Sequence, residues 1–151
     1  MKIIVNKIIK TEVPTNIEIE GATLLSMDEA EKLPLRLREY KNWWWLRSPG
    51  YGSEYATNIY CDGSINDLGS YANCYNTVRP ALKITNLEPS KFEIGNVFTF
   101  GYKNFEIISD TLAFCTTDIG KHEFDLYSNN YEQSEIKRYV DAWFEKVRKI
   151  R

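Results

Sequence analysis

The sequence predicts an α+β fold, a single domain in which short antiparallel strands pack with two main helices. Three observations lead to this prediction. The 151 residues have the length of one domain, β-branched and aromatic residues form several short runs bounded by Pro and Gly, and clear helix signals occur in only two places. A domain of this length buries roughly 70% of the surface of its unfolded chain, so it should fold without a metal or a disulfide.

The first part of the chain, residues 1–41, should run from strands into a short helix. Residues 2–9 and 16–20 are rich in β-branched side chains and predict two strands. Ser26 and Glu29 have the spacing of a capping box, which predicts a helix over residues 27–33 that stops near Pro34. Residues 35–40 should add one more helical turn.

The middle part, residues 42–84, contains a segment unlike the rest of the chain. Of the 27 residues 51–77, 17 are Tyr, Asn, Ser, Asp or Gly, and none is Lys or Arg. A β pattern at residues 56–60 followed by the turn pair Asp62-Gly63 predicts short strands and exposed loops.

The last part, residues 86–151, returns to regular structure. Residues 96–100 and 104–108 predict a hairpin with its turn at 101–103, and residues 112–116 predict a further strand. Residues 132–147 predict the clearest helix, because apolar side chains fall on one face at i, i+4, i+7, i+8 and i+11. That buried stripe consists of Ile136, Val140, Trp143, Phe144 and Val147.

Charge and cysteine content restrict the classes of partner. The net charge of −2, from 19 basic and 21 acidic residues, makes a nucleic-acid partner unlikely. Cys61, Cys74 and Cys115 lack the spacing of a zinc site, so we expect reduced thiols and no cofactor. Residues 1–7 are interrupted by charge, so we expect no signal peptide, no membrane span, and a location in the cytoplasm unless a particle carries the protein out.

Three motifs resemble a bacterial and phage family of unknown function, DUF6273. Residues 44–50 (WWLRSPG), 62–64 (DGS) and 78–82 (VRPAL) match the family's hallmarks in order, and residues 24–30 look like its L-L-S-x-E-E-A segment. Thr77 stands where the family prefers Gly. Residues 94–101, 105–108 and 134–140 resemble the start of the same family, yet here they follow the WWLRSPG block. We therefore expect a circular permutant of the family fold.

The W…R…V-R-P-A layout is also similar to C-type-lectin-like domains of the formylglycine-generating-enzyme type. That group includes the variable proteins of diversity-generating retroelements, which display a ligand-binding face rich in Tyr, Asn, Ser and Asp on a rigid scaffold. The resemblance implies a C-type-lectin-like fold and a non-catalytic binding function.

The composition of the Tyr-rich segment favours a binding face for a protein ligand. Tyr offers a large contact area with few rotors, while Ser, Asn and Gly supply adaptable hydrogen bonds, as in antibody paratopes. The alternative, a Tyr-rich sheet with a purely structural role, remains open. The candidate ligand-binding residues are Tyr51, Ser53, Glu54, Tyr55, Asn58, Tyr60, Asp62, Asn66, Asp67, Tyr71, Asn73, Tyr75 and Asn76.

The flanking Trp and Arg residues should be structural. Trp43 and Trp45 should lie on one face of a strand and Trp44 on the other, with two of the three in the core. Arg47 and Arg79 should bind acidic or carbonyl partners inside the loop region and fix its ends through bidentate bonds.

Catalysis finds little support in the sequence. The single histidine, His122, lies in a polar stretch at residues 120–123 that we expect to be a loop, with no Ser or Cys motif beside it. Calcium-dependent sugar binding is unlikely, because Glu54, Asp62 and Asp67 are too few for an all-oxygen site. Two other functions remain open: a phage inhibitor of a host defence protein, and a carbohydrate-binding or virion structural module whose stacking residues would lie among residues 43–45.

Overall fold

The computed structural model describes residues 9–10 and 12–149, and it contains two β-sheets and three α-helices in that part of the chain. The strands are β1 (Ile9–Lys10), β2 (Ile17–Thr23), β3 (Trp44–Pro49), β4 (Tyr55–Ile59), β5 (Ile65–Tyr71), β6 (Tyr75–Thr77), β7 (Ala81–Asn86), β8 (Val97–Phe100), β9 (Lys103–Ile107), β10 (Leu112–Cys115) and β11 (Lys121–Glu123). The helices are α1 (Met27–Glu31), α2 (Leu35–Arg38) and α3 (Glu135–Val147), and single 3₁₀ turns lie at Pro89–Lys91 and Tyr131–Gln133.

The large sheet has six strands in the order β1-β8-β9-β10-β7-β2, and the small sheet has five in the order β11-β6-β3-β4-β5. Most neighbours are antiparallel. In the described chain the parallel pairs are β1–β8 and β3–β6. The α+β class predicted from the sequence is therefore confirmed.

The predicted hairpin and the predicted start of the first helix are also confirmed. Strands β8 and β9 pair from Val97↔Glu106 to Phe100↔Lys103. Helix α1 begins with a complete capping box, in which Ser26 Oγ accepts from the Glu29 N–H and the Glu29 carboxylate accepts from the Ser26 N–H.

Only one of the two expected main helices is long. Helix α1 has five residues and α2 has four, whereas α3 has 13. Pro34 separates α1 from α2, because proline has no backbone N–H to donate to the helix. Helix α3 begins three residues later than predicted, since Ser134 Oγ caps it by accepting from the Lys137 N–H.

Two core clusters lie on opposite sides of β3. The Trp45 side chain packs with residues of α3 and the large sheet, among them Phe105 and Val140, in a cluster that draws on all three predicted parts of the chain. The Trp44 side chain packs on the other side with Leu37 and Phe114. The prediction that two of the three Trp residues are core and that Trp44 and Trp45 face opposite ways is confirmed.

Of two further sequence predictions, one falls outside the described residues and one is wrong. The predicted strand at residues 2–9 lies outside the described residues except for Ile9. The expected loop at residues 120–123 is wrong for its last three residues, because Lys121–Glu123 form β11 and pair antiparallel with β6. Both strands are short and largely polar, so neither carries the hydrophobic alternation that predicts a strand. Within the described range, no helix is both long and apolar enough to span a membrane.

Candidate binding face

The structure places most of the thirteen candidate residues at the surface. Eight are exposed, three are half-buried (Tyr55, Tyr60 and Asn66) and two are buried (Asn58 and Asn76). The exposed residues are Tyr51, Ser53, Glu54, Asp62, Asp67, Tyr71, Asn73 and Tyr75.

Asn58 and Asn76 do not belong to the exposed face. Asn58 lies in β4 between two other strands, and its side-chain amide donates to Ser70 Oγ at 2.9 Å. Asn76 lies in β6 between β3 and β11 and is 8% exposed. Their polarity made them look like loop residues, whereas their position in inner strands buries them.

A tyrosine cluster, consisting of Tyr51, Tyr55 and Tyr71, forms at one end of the small sheet. Tyr55 and Tyr71 are directly paired across β4 and β5, with ring centroids 4.6 Å apart. The Tyr51 N–H donates to the Leu68 carbonyl at 2.8 Å, which fixes Tyr51 beside the same edge strand. Together with Leu68 and Gly69, Tyr51 and Tyr55 line a shallow cleft of about 330 Å³.

The other two tyrosines of the segment lie elsewhere. Tyr60 follows the opposite end of β4, where its ring meets Trp43 edge-on at 4.6 Å. Tyr75 begins β6, on the far side of β3, and its ring lies 6.4 Å from that of His122. The segment therefore forms separate aromatic groups, of which the tyrosine cluster is the largest.

Glycine 69 gives the cluster its shape. Its φ of +91° is in the left-handed region, and a Cβ at this position would lie 2.5 Å from the Ala56 carbonyl oxygen. The pairing of β4 with β5 shifts register at this place, and the Gly69 N–H donates to Asn66 Oδ1 at 3.2 Å. Only glycine allows the two strands to approach this closely.

A second segment, residues 125–130, reaches the same end of the small sheet. The Ala72 carbonyl, next to Tyr71, accepts from the N–H groups of Phe124 and Asp125 at 2.8 and 3.0 Å. Four residues further on, the Asn129 amide donates to the carbonyls of Gly52 and Tyr55 at 3.0 and 2.9 Å.

Leu126 and Tyr127 lie between these two anchor points and are 56% and 84% exposed. Asp125 holds the loop by accepting from the N–H groups of Tyr127, Ser128 and Glu135. Neither residue is among those predicted from the sequence. A signal was present, because residues 127–131 (YSNNY) repeat the Tyr, Ser and Asn composition of the first segment.

Hydrogen bonds raise the pKa of two phenols in the segment. The side-chain hydrogen bond with Tyr71 raises the pKa of Tyr55, and the one with Glu123 raises the pKa of Tyr75. Phenols are already protonated near neutral pH, where each hydroxyl both donates and accepts a hydrogen bond.

The two flanking arginines join separate parts of the scaffold. The Arg47 guanidinium makes a bidentate bond to Glu29, at 2.6 and 3.3 Å, and also donates to the Leu24 carbonyl at 2.7 Å. Arg79 is 1% exposed. Its guanidinium donates to three backbone carbonyls, those of Leu37, Cys115 and Thr117. Acidic and carbonyl partners are confirmed, but all of them lie outside the Tyr-rich segment, contrary to prediction.

The histidine and the three cysteines form no recognisable catalytic arrangement in the described residues. His122 Nδ1 lies 2.7 Å from the Glu123 carbonyl, and its ring packs 4.6 Å from that of Tyr139. Cys61 and Cys74 are free and exposed, while Cys115 is free and buried, and burial raises the pKa of its thiol. Among the described residues, no group of three or more His, Cys, Asp or Glu side chains could hold a metal ion.

Of the three tryptophans considered for sugar stacking, Trp44 and Trp45 are fully buried, and only Trp43 is exposed.

A cleft of about 570 Å³ lies between α2 and β9, where Arg36 forms a bidentate bond with the buried Glu106. That ion pair links α2 to the large sheet.

Comparison with known proteins gives one match. A family model described as "Domain of unknown function (DUF6273)" matches residues 7–86, which is more than half of the chain. The matched range contains the tyrosine cluster and ends before the 125–130 loop. No curated protein and no solved structure matches the chain.

Proposed function

Since the chain belongs to the DUF6273 family, whose domain has no known function, we propose that it is a non-catalytic binding module for a protein ligand. The ligand contacts an aromatic face made of Tyr51, Tyr55, Leu68, Tyr71, Leu126 and Tyr127. The observation that carries this proposal is the convergence of two distant segments, which place exposed aromatic and apolar side chains at one end of the small sheet.

Exposure on this scale favours contact with a partner. Tyr51 is 82% exposed and Tyr127 is 84% exposed, and Leu68, Tyr71 and Leu126 are each more than half exposed. A contiguous exposed apolar patch is typical of an interaction site, because its burial releases ordered water. Aromatic side chains, tyrosine among them, contribute most of the binding energy in many protein interfaces.

The face is also held in place before any ligand arrives. The Asn129 amide joins the two segments, the Tyr55 and Tyr71 rings pack on each other, and Gly69 fixes the edge strand. A preorganised face loses less conformational entropy on binding than a mobile loop does. The hydroxyls of Tyr and the amides of Asn at its border can adjust to the ligand, as in antibody paratopes.

The test is panning of a displayed library of peptides and small domains against the immobilised native protein. The variant Tyr51→Ser/Tyr71→Ser/Tyr127→Ser removes three rings of the face. The control, Tyr102→Ser, removes a ring that is 80% exposed at the β8–β9 turn. Binders that recognise the native protein and the control but not the folded triple variant support the proposal. Binders that all retain affinity for the folded triple variant overturn it.

We further propose that the chain is a circular permutant with a C-type-lectin-like fold, in which the order of the family's segments is exchanged. Two contacts support the exchange of segments. Val147, at the end of α3, packs against Gly101 at the end of β8, and β1 pairs with β8. Both ends of the described chain therefore reach the same strand. If the proposal is right, a version joined end to end and opened at residues 87–92 keeps the native circular dichroism spectrum. A joined version that folds only while unopened contradicts it.

A further inference from the structure

The acidic and basic residues of the chain are unevenly distributed along its sequence. Residues 48–78 and 122–136, which supply the aromatic face, contain seven acidic residues and no Lys or Arg. All 19 Lys and Arg residues lie in the remainder, together with 14 acidic residues. The net charge of −2 thus divides into −7 for the two segments and +5 for the rest. The seven acidic residues are Glu54, Asp62, Asp67, Glu123, Asp125, Glu132 and Glu135.

Two of these acidic residues are next in sequence to residues of the aromatic face. The hydrogen bond with Tyr71 and, to a smaller extent, the charge of Glu54 raise the pKa of Tyr55. Glu54 immediately precedes Tyr55, and its carbonyl accepts from the Ala72 N–H at 2.8 Å, next to Tyr71. Asp67 immediately precedes Leu68 on the edge strand. Both side chains are exposed, and neither forms an ion pair within the described part of the chain. Other acids of the set are already engaged: Asp125 caps the loop, and Glu135 pairs with Arg138.

From this arrangement we propose that the protein ligand of the aromatic face presents cationic side chains, chiefly arginine. This inference rests on the proposed function and names the class of partner. An arginine guanidinium stacks on the face of a Tyr ring and forms a bidentate bond with a carboxylate. The tyrosine cluster supplies the rings, and the exposed carboxylates of Glu54 and Asp67, which are next in sequence to Tyr55 and Leu68, supply partners for a guanidinium.

The same arrangement disfavours other classes of ligand. Phosphate groups of a nucleic acid are repelled by a surface that carries Glu54 and Asp67, which form no ion pair among the described residues. A neutral sugar gains no electrostatic attraction from these carboxylates. For a cationic protein, the exposed carboxylates steer the approach and increase the association rate, and added salt screens that effect.

The probes are dye-labelled peptides of about twelve residues. One alternates Arg with Ser and Tyr, and its matched partner carries citrulline, which keeps the shape without the charge. Anisotropy titrations at ~20 mM and ~500 mM NaCl separate screened from unscreened binding. We expect the Arg peptide to bind the native protein at least ~10-fold more tightly than the citrulline peptide at low salt.

Charge variants locate the effect. Glu54→Gln/Asp67→Asn should weaken binding of the Arg peptide by about 5- to 10-fold. The control Glu18→Gln/Glu93→Gln removes the same charge from exposed positions outside the two segments and should leave binding unchanged. Equal weakening by both double variants means non-specific attraction and overturns the inference. Self-association of the native protein in sedimentation, abolished by Glu54→Gln/Asp67→Asn, overturns it as well, because the partner is then a second copy.

The inference and the proposed function can fail separately. If library binders depend on the tyrosines but show no excess of Arg or Lys and tolerate Glu54→Gln/Asp67→Asn, the inference is wrong and the proposed function stands. If the Arg peptide responds to the charge variant but not to Tyr51→Ser/Tyr71→Ser/Tyr127→Ser, cations bind beside the face and not on it, which overturns the inference and leaves the proposed function to the library binders.

Discussion

The side-chain amide of Asn129 donates a hydrogen bond of 2.9 Å to the backbone carbonyl of Tyr55, 74 residues away in sequence. The same amide nitrogen lies 3.0 Å from the Gly52 carbonyl. One side chain therefore fixes the turn that carries Tyr51 and also ends the loop that carries Tyr127. Because it joins the two halves of the aromatic face, it is a position at which the geometry of the face can be perturbed without removing a contact residue.

Replacement of Asn129 by Ala should loosen the aromatic face while the fold persists. Both carbonyls keep a second donor, since Tyr55 N–H bonds to Gly52 and Gly50 N–H bonds to Tyr55. We therefore expect a loss of only about 1 kcal/mol in the free energy of unfolding, measured by urea denaturation. Amide hydrogen exchange of residues 125–129 should become faster. Asn130→Ala is the control, because its side chain is exposed and makes no hydrogen bond in the described structure. Equal exchange in both variants would contradict the role of Asn129.

Replacement of Gly69 by Ala should cost more than the same change at Gly95. Both residues have φ in the left-handed region, so alanine is strained at either position. At Gly95 nothing lies within 4 Å of the added Cβ, and only the strain of about 1 kcal/mol is expected. At Gly69 the Cβ meets the Ala56 carbonyl oxygen at 2.5 Å, so β4 and β5 must separate. We expect at least ~2 kcal/mol more loss at Gly69 by urea denaturation. Equal losses in the two variants would mean that the close approach of β4 and β5 at Gly69 does not affect stability.

The parts of this fold that could be predicted from the sequence are those with local signals. The capping box at Ser26 and Glu29, the stripe on α3 and the hairpin of β8 with β9 all follow from spacing within a few residues. The opposite orientations of Trp44 and Trp45 follow from the alternation of side chains along a strand. In each case neighbours in sequence determine the result.

The parts that could not be predicted depend on contacts distant in sequence. Nothing near Asn58 reveals that β4 lies between two strands and buries it. The bond from Asn129 to Tyr55 spans 74 residues, so the second half of the aromatic face has no local signal of its location. Composition identified which residue types form the face, whereas only the arrangement of strands determines which tyrosines meet. Tyr60 and Tyr75 lie in the same Tyr-rich segment, yet their rings contact Trp43 and lie near His122 instead of joining the tyrosine cluster.

Arg79 should be essential for stability. Burial lowers the pKa of its guanidinium to about 10, so the side chain stays charged at neutral pH. It stacks between the rings of Tyr40, Trp44 and Phe114, each within 5 Å, and donates to three carbonyls. Arg79→Met leaves those carbonyls without this donor, and we expect a loss of about 3 kcal/mol or more in the free energy of unfolding.

Arg79→Lys tests whether charge alone is sufficient at this position. One ammonium group cannot bond to three separated carbonyls, so lysine should recover less than half of the loss. Arg148→Met is the control: this arginine is exposed at the end of α3 and pairs with Glu145, and its loss should cost less than about 0.5 kcal/mol. Urea denaturation followed by Trp fluorescence measures all three. Full recovery by lysine would show that the charge, and not the guanidinium geometry, stabilises the site.

Glu29 should make the stability of the fold depend on pH in the acid range. Partial burial raises the pKa of this carboxyl, but hydrogen bonds from Arg47 and the Ser26 N–H outweigh it, and the net pKa lies below the ordinary value. A carboxylate with a lowered pKa in the folded state contributes stability above its unfolded pKa and loses it as the pH falls through the folded value. The contribution is therefore present at neutral pH and is lost in acid, as the pH falls through the lowered pKa of the folded state.

The comparison that tests this sign is the native protein against Glu29→Gln, with urea midpoints measured at about pH 7, 5 and 3. The native protein should be more stable at neutral pH, since only the carboxylate forms the charged bidentate bond to Arg47. The difference in stability between the native protein and the variant should shrink toward zero in acid, where the protonated Glu29 side chain is as uncharged as the glutamine amide. Glu31→Gln, an exposed change at the end of the same helix, should follow the native protein throughout. A difference that stays constant from neutral to acid would mean that Glu29 stabilises β3 through shape and hydrogen bonding alone, without its charge.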